Sequence, residues 1–193
     1  MKTRQLGLLL VVLTVGMLTQ TSGEAPKERF WTLDCSLERP WLLVVNDPVG
    51  TTRYAWVVTF EVSNPTDKPV FYLPYFLITT DTDKLYRNVL DFAAEREAEL
   101  SLGRELANVV DLIGPLAPGE TRQGVATFPL PDPEAARFDL YAGGLSNAYK
   151  VLEQEGKSAI VRKMLLTSYH RPGDAYDLYL DKIYQVESRW VWR

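Results

Sequence analysis

The chain has 193 residues, 46% hydrophobic and 24% charged, with a formal net charge of -4, which is enough apolar material for one domain with a sizeable core. The sequence has no run of Lys and Arg, so it lacks both the electrostatic footprint of a nucleic-acid binder and a basic face for anionic lipid. A lone cysteine, Cys35, excludes an internal disulfide, and a lone histidine, His170, leaves little for metal or triad chemistry.

Lys2 and Arg4, the apolar run Leu6 to Leu18 and the small residues Thr19 to Gly23 have the three-part form of a secretory signal peptide. The run is shorter than the roughly 20 residues a spanning helix needs. Cleavage after Gly23 is expected, taking the net charge to -6 and leaving residues 24–193 as one extracytoplasmic domain, periplasmic or secreted, without a membrane span. A retained N-terminal anchor is the alternative. Cys35 lies too far beyond the apolar run to carry a lipid anchor.

Phe30 to Leu37 alternates as a first strand, with Cys35 on the face of Trp31, Leu33 and Leu37, and is expected to hold a buried, inert thiol. Trp41 to Val45 is a short second strand. Asn46 to Gly50 is a loop. In Tyr54 to Asn64, Trp56, Val58, Phe60 and Val62 alternate with Val57, Thr59, Glu61 and Ser63, which predicts one buried face. The turn Asn64 to Pro69 leads into Val70 to Thr80, apolar on both faces and expected to neighbour the preceding strand, with Pro74 marking an edge or bulge. Leu85 to Leu90 is a further strand.

Asp91 is placed to cap a helix over about Phe92 to Ala107, weakened at Gly103. Pro115 to Glu120 is a turn, Arg122 to Leu130 a strand ended by prolines, and Arg137 to Leu145 another half-buried strand. Ser146 to Ser158 is open between helix and loop. Ala159 to His170 alternates as a long strand, and Arg171 to Asp174 turns the chain. Tyr176 to Val186 has no clean period; Ser188 to Arg193 places Trp190 and Trp192 on one face. Seven to nine short strands with Pro/Gly punctuation and a single helix predict an all-β antiparallel β-sandwich with one inserted helix; a barrel is the second architecture.

The segments Val62-Ser63-Asn64-Pro65-Thr66-Asp67-Lys68-Pro69, Leu116-Ala117-Pro118-Gly119-Glu120-Thr121 and Gly124-Val125-Ala126-Thr127-Phe128 resemble the immunoglobulin-like β-sandwich domains of exported bacterial proteins of unknown function. A more remote likeness is to late-embryogenesis-abundant β-sandwich proteins. What the resemblance implies is a fold and an extracytoplasmic setting, with no catalytic residues to carry over.

Gly144-Leu145-Ser146-Asn147-Ala148 approaches a nucleophile elbow but lacks its second glycine, so a hydrolase built on Ser146 and His170 is not expected. Asp81 and Asp83, or Asp174, Asp177 and Asp181, do not match a calcium loop, and no metal site or cofactor is expected. A paired-carboxylate glycosidase is disfavoured because so short a chain leaves little room for a deep cleft. The chain therefore reads as a non-enzymatic module binding a protein or glycan partner at the cell envelope, or as a purely structural one. Trp190 and Trp192, joined by Tyr176, Tyr179 and Tyr184, are the candidate contact residues, because aromatic faces stack on sugars and anchor protein partners.

Overall fold

In a computed structural model, the structure describes residues 30–46, 50–129, 132–154, 156–172 and 183–193. The expected signal peptide and the Asp174, Asp177, Asp181, Tyr176 and Tyr179 readings lie outside them, as do Leu130 and Pro131. The described chain is mostly β, with one helix.

Strands β1 (Asp34–Leu37) and β2 (Trp41–Asn46) pair in succession along one side of β3 (Thr52–Ser63). On the other side of β3 lies β9 (Thr121–Pro129), with Trp56 opposite Phe128 and Phe60 opposite Gly124. The short β7 (Ala107–Asn108) adds to β9 in parallel, a departure from the all-antiparallel expectation.

A second sheet centres on β10 (Arg137–Gly143), flanked by β5 (Tyr75–Thr80) and β12 (Lys157–His170). β6 (Leu85–Arg87) extends it beyond β5. β11 (Tyr149–Gln154) pairs with the first half of β12, and β13 (Tyr184–Trp192) with the second. A two-stranded piece joins β4 (Val70–Tyr72) to β8 (Gly114–Leu116).

The two large sheets close on one core. Trp56, Val58, Phe60, Val62 and Phe128 from the first meet Phe76, Ile78, Phe138, Leu140 and Tyr169 from the second. Trp56 packs edge-on to Phe138 with ring centroids 4.7 Å apart, and Phe60 meets Phe76 at the same separation. At one corner Leu33 N–H donates to the Leu145 carbonyl at 2.7 Å, tying the start of the first sheet to the end of β10.

Five expectations are corrected. Val70 to Thr80 does not pair with β3: Leu73-Pro74 divides it, and its halves join β8 and β10 in other sheets, because proline has no donor to continue a ladder. β3 is buried on both faces, since the row of Ala55 and Val57 is covered by Ala94, Ala98 and Leu106 with Leu43, Val45 and Val125. That covering helix, α1 (Phe92–Leu102), is shorter than expected and ends where Gly103 turns left-handed at φ 63°. Ser146 to Ser158 contains the strand β11, and Pro115 lies within β8.

The helix cap follows the sequence. Asp91 accepts from Ala94 N–H at 3.1 Å, and Arg53 donates to both of its carboxylate oxygens, at 2.5 and 2.7 Å. That guanidinium holds the Asp91 carboxyl below the usual carboxylate range.

Asn64 joins two of the turn clusters. Its buried amide donates to the carbonyls of Lys68 and Leu116, both at 2.8 Å, and its Oδ1 accepts from the Thr66 amide and hydroxyl. Its backbone carbonyl accepts from Gly119 N–H at 2.8 Å. Asn64→Ala leaves buried carbonyls without donors, so urea unfolding of that variant is expected to show a loss of about 2–3 kcal/mol. A loss within about 0.5 kcal/mol, the range of ordinary surface substitutions, would show that the side chain is not what joins the turns.

Candidate functional site: an exposed aromatic ribbon and the hollow at its base

β12 is longer than the core it crosses. Met164, Leu166 and Tyr169 are buried, whereas residues 157–160 are exposed and pair with the exposed strand β11. β11, the first half of β12 and the end of β13 thus form a ribbon standing off the body of the protein. Its apolar side chains include Val151 and Ile160, directly opposite one another and 54% and 64% exposed.

Register sets which face each side chain takes, because directly opposed residues share a face. Trp190 lies opposite Leu165, which lies opposite Ala142, a core residue; Trp192 lies opposite Lys163. The two indoles therefore continue the core-facing row outward, Trp190 beside Leu165, which packs on the core, and Trp192 one pair further out, 38% and 40% exposed. Lys163 Nζ sits 4.6 Å from the Trp190 ring centre and Lys150 Nζ 4.2 Å from that of Trp192. Each such contact contributes about 0.5–1 kcal/mol at an exposed position. On the opposite face the Arg193 guanidinium lies 4.2 Å from the Tyr141 ring centre. Trp56, by contrast, is a core residue.

Of the predicted contact residues, Trp190 and Trp192 come together on this ribbon. Tyr184 begins the same strand at its other end, 54% exposed. The fold also gathers cations that are scattered in sequence: Lys150, Arg162, Lys163, Arg189 and Arg193 all belong to the ribbon strands or adjoin them. Sequence order hides this cluster, because β11, β12 and β13 become neighbours only through pairing.

At the base of the ribbon is a hollow of about 320 Å³ lined by Trp31, Phe71, Leu73, Tyr75, Asn147 and Arg162, among others. Two glycines shape it. A Cβ on Gly143 would lie 2.1 Å from Tyr75 Cζ, so its absence lets that ring lie against β10; Gly144, at φ 80°, leaves no space before the Leu73 carbonyl. Phe71 and Leu73, 61% and 53% exposed, were hidden in an apolar run that reads as core. Only the proline after Leu73 signals that the run breaks there.

Ser146 belongs to the corner of this hollow, with a structural bonding pattern. Its hydroxyl donates to the Trp31 carbonyl at 2.7 Å and accepts from Ala148 N–H at 3.2 Å. Lys163 N–H bonds to the Ala148 carbonyl, so His170 lies seven residues further along β12, on the order of 20 Å from this corner. The structure does not bring Ser146 and His170 together. Among the described residues no group of three His, Cys, Asp or Glu side chains is placed to hold a metal ion, and no helix is long and apolar enough to cross a membrane. A further hollow of about 370 Å³ lies along α1, but its lining is occupied: Arg104 is bonded to Glu38 at 2.7 Å, and Glu99 accepts from Leu106 N–H.

No family model matches the chain, and no curated protein matches it. A solved structure similar to it is the crystal structure of the yjhA protein from Bacillus subtilis, with a TM-score of 0.39, 14% sequence identity, and coverage of 60% of this chain and 77% of that one. The match is distant and assigns no family.

Cys35 lies partly buried against the core, where burial pushes its thiol up to about 12 and raises the nearby Tyr72 and Tyr169 hydroxyls as well. At pH 8 only about one molecule in ten thousand would carry the reactive thiolate. Ellman's reagent at that pH is expected to label the folded protein roughly a thousandfold more slowly than the urea-unfolded chain. Equal rates would place the thiol in solvent.

Proposed function

We propose that the chain is an exported, non-enzymatic module of the immunoglobulin-like β-sandwich kind, and that it binds a protein or glycan partner at the cell envelope through the aromatic ribbon. The observation that carries this reading is the position of Trp190 and Trp192. Two large indoles held about two-fifths exposed, each with a lysine over its ring, expose apolar area to water with no gain to the core. Rigid aromatics with cations beside them are the side chains that dominate recognition surfaces. The hollow beneath, with Trp31, Phe71, Tyr75, Asn147 and Arg162, adds aromatic faces and hydrogen-bonding groups suited to a sugar ring or a loop of polypeptide. The signal-like leader supports the extracytoplasmic setting.

A pull-down from cell-envelope extract, scored for both proteins and glycans, compares the native chain with a Trp190→Ala, Trp192→Ala variant. A partner retained by the native chain and reduced at least roughly tenfold in the variant is the expected result, the order of effect of losing a binding hot spot. Neither indole belongs to the core, so the variant is expected to stay folded, with its melting temperature lowered by the loss of the two lysine–indole contacts, about 1–2 kcal/mol together. Equal retention by the two proteins would contradict a role for the ribbon.

A further inference from the structure

The end of β13 carries a pattern that fits one partner in particular. Among the described residues β13 pairs with β12 alone, so its other edge is open. Arg162 and Arg193 bond to each other in both directions, at 2.7 and 3.0 Å. Antiparallel ladders alternate, so Val191 and Arg189 also turn their backbone groups toward β12, while the N–H and C=O of Ser188, Trp190 and Trp192 turn outward. The register shifts opposite Ser168 and Tyr169, which leaves Glu187 to Arg193 as the regular stretch. It holds neither proline nor lysine, two residues that commonly blunt an exposed edge.

This stretch is complementary to its own reverse. If two copies run antiparallel with Trp190 opposite Trp190, Ser188 falls opposite Trp192 and Arg189 opposite Val191. Glu187 falls opposite Arg193 at both ends. The central residue turns its N–H and C=O outward, as a symmetric bonded pair requires. Indoles from both copies share one face, and each end carries opposite charges. Glu187 is now bonded to Arg189 at 3.1 Å with both side chains about half exposed, so its carboxylate can accept a second guanidinium.

We infer that the outer edge of β13 joins a second copy of this chain, edge to edge about a two-fold axis at Trp190, continuing the second sheet across both copies. The inference rests on the reading of the ribbon as an interaction surface and names one partner for it.

Sedimentation of the purified chain over a concentration series tests this with two charge variants. Glu187→Arg alone would set arginine against arginine, and Arg193→Glu alone would set glutamate against glutamate. Each is expected to need roughly tenfold or more higher concentration to dimerise than the native chain. An equimolar mixture of the two restores opposite charges at both ends and is expected to dimerise like the native chain. Ser188→Pro removes an N–H that β12 does not use together with the hydroxyl that meets Thr167 at 3.1 Å, so Ser188→Ala, which loses the hydroxyl alone, is its control: the proline variant is expected to abolish the dimer and the alanine variant to keep it. A native chain that stays monomeric up to roughly millimolar concentration, the weakest range of specific association, would overturn the inference. So would single variants that dimerise like the native chain, or a mixture that fails to recover. A monomer that still captures an envelope partner through Trp190 and Trp192 would overturn the second-copy pairing and leave the proposed function standing. A dimer whose envelope capture does not depend on those indoles would do the reverse.

Discussion

The fold rests on the exclusion of water between two apolar rows, one on each large sheet. Trp56, Val58, Phe60 and Val62 on β3 face Phe76, Ile78, Phe138 and Leu140 on β5 and β10. Burying one such side chain contributes about 1.5–3 kcal/mol, and a well-placed aromatic pair adds about 0.5–1.5 kcal/mol. Without a disulfide, the described fold depends on this burial and on the hydrogen bonds that close its corners. The core also encloses the Tyr72 and Tyr169 hydroxyls, which find no hydrogen-bond partner in the described structure, so part of the gain from burying those rings is offset.

The ribbon follows from a mismatch in length. β12 has 14 residues, roughly 46 Å of strand, and only its second half crosses the core. The remainder must pair with something to satisfy its backbone, and β11 supplies that pairing without supplying cover. Val151 and Ile160 on this overhang therefore stay in contact with water, as does Trp192 opposite Lys163 where it begins, and Trp190 sits at its inner border opposite Leu165. The same pairing concentrates basic side chains on a chain that is acidic as a whole, so charge and aromatic area coincide on the ribbon.

Much of the strand content was legible because alternation reports a half-buried strand directly, as in Arg137 to Gly143; Ala159 to His170 read as a strand as well, although its second half is buried on both faces, with Met164 and Leu166 on one and Thr167 and Tyr169 on the other. The helix start was legible from Asp91, and its end should have been read at Gly103, whose left-handed conformation closes it before the run of helix formers is exhausted. Partnership was not legible. Nothing local in Val70 to Thr80 says that it leaves β3 for β8 and β10, because pairing across sheets depends on residues some 40 to 70 positions away. The same limit hid the second buried face of β3, whose polar-looking alternation includes Thr59, a buried residue whose hydroxyl donates to Glu38 at 2.5 Å. Of the candidate site, the paired indoles were visible as i, i+2 neighbours. The hollow was not, since Trp31, Phe71, Tyr75 and Arg162 converge from four separate strands or their flanks.

Amide hydrogen exchange along β12, followed residue by residue at low protein concentration, tests most directly whether the core ends partway along that strand. The account predicts that Met164 to Tyr169 exchange only on global unfolding, while Ser158 to Val161 exchange orders of magnitude faster by local opening of the ribbon. Uniform protection from Lys157 to His170 would contradict it, because the ribbon would then belong to the core and its aromatics would not be available to a partner.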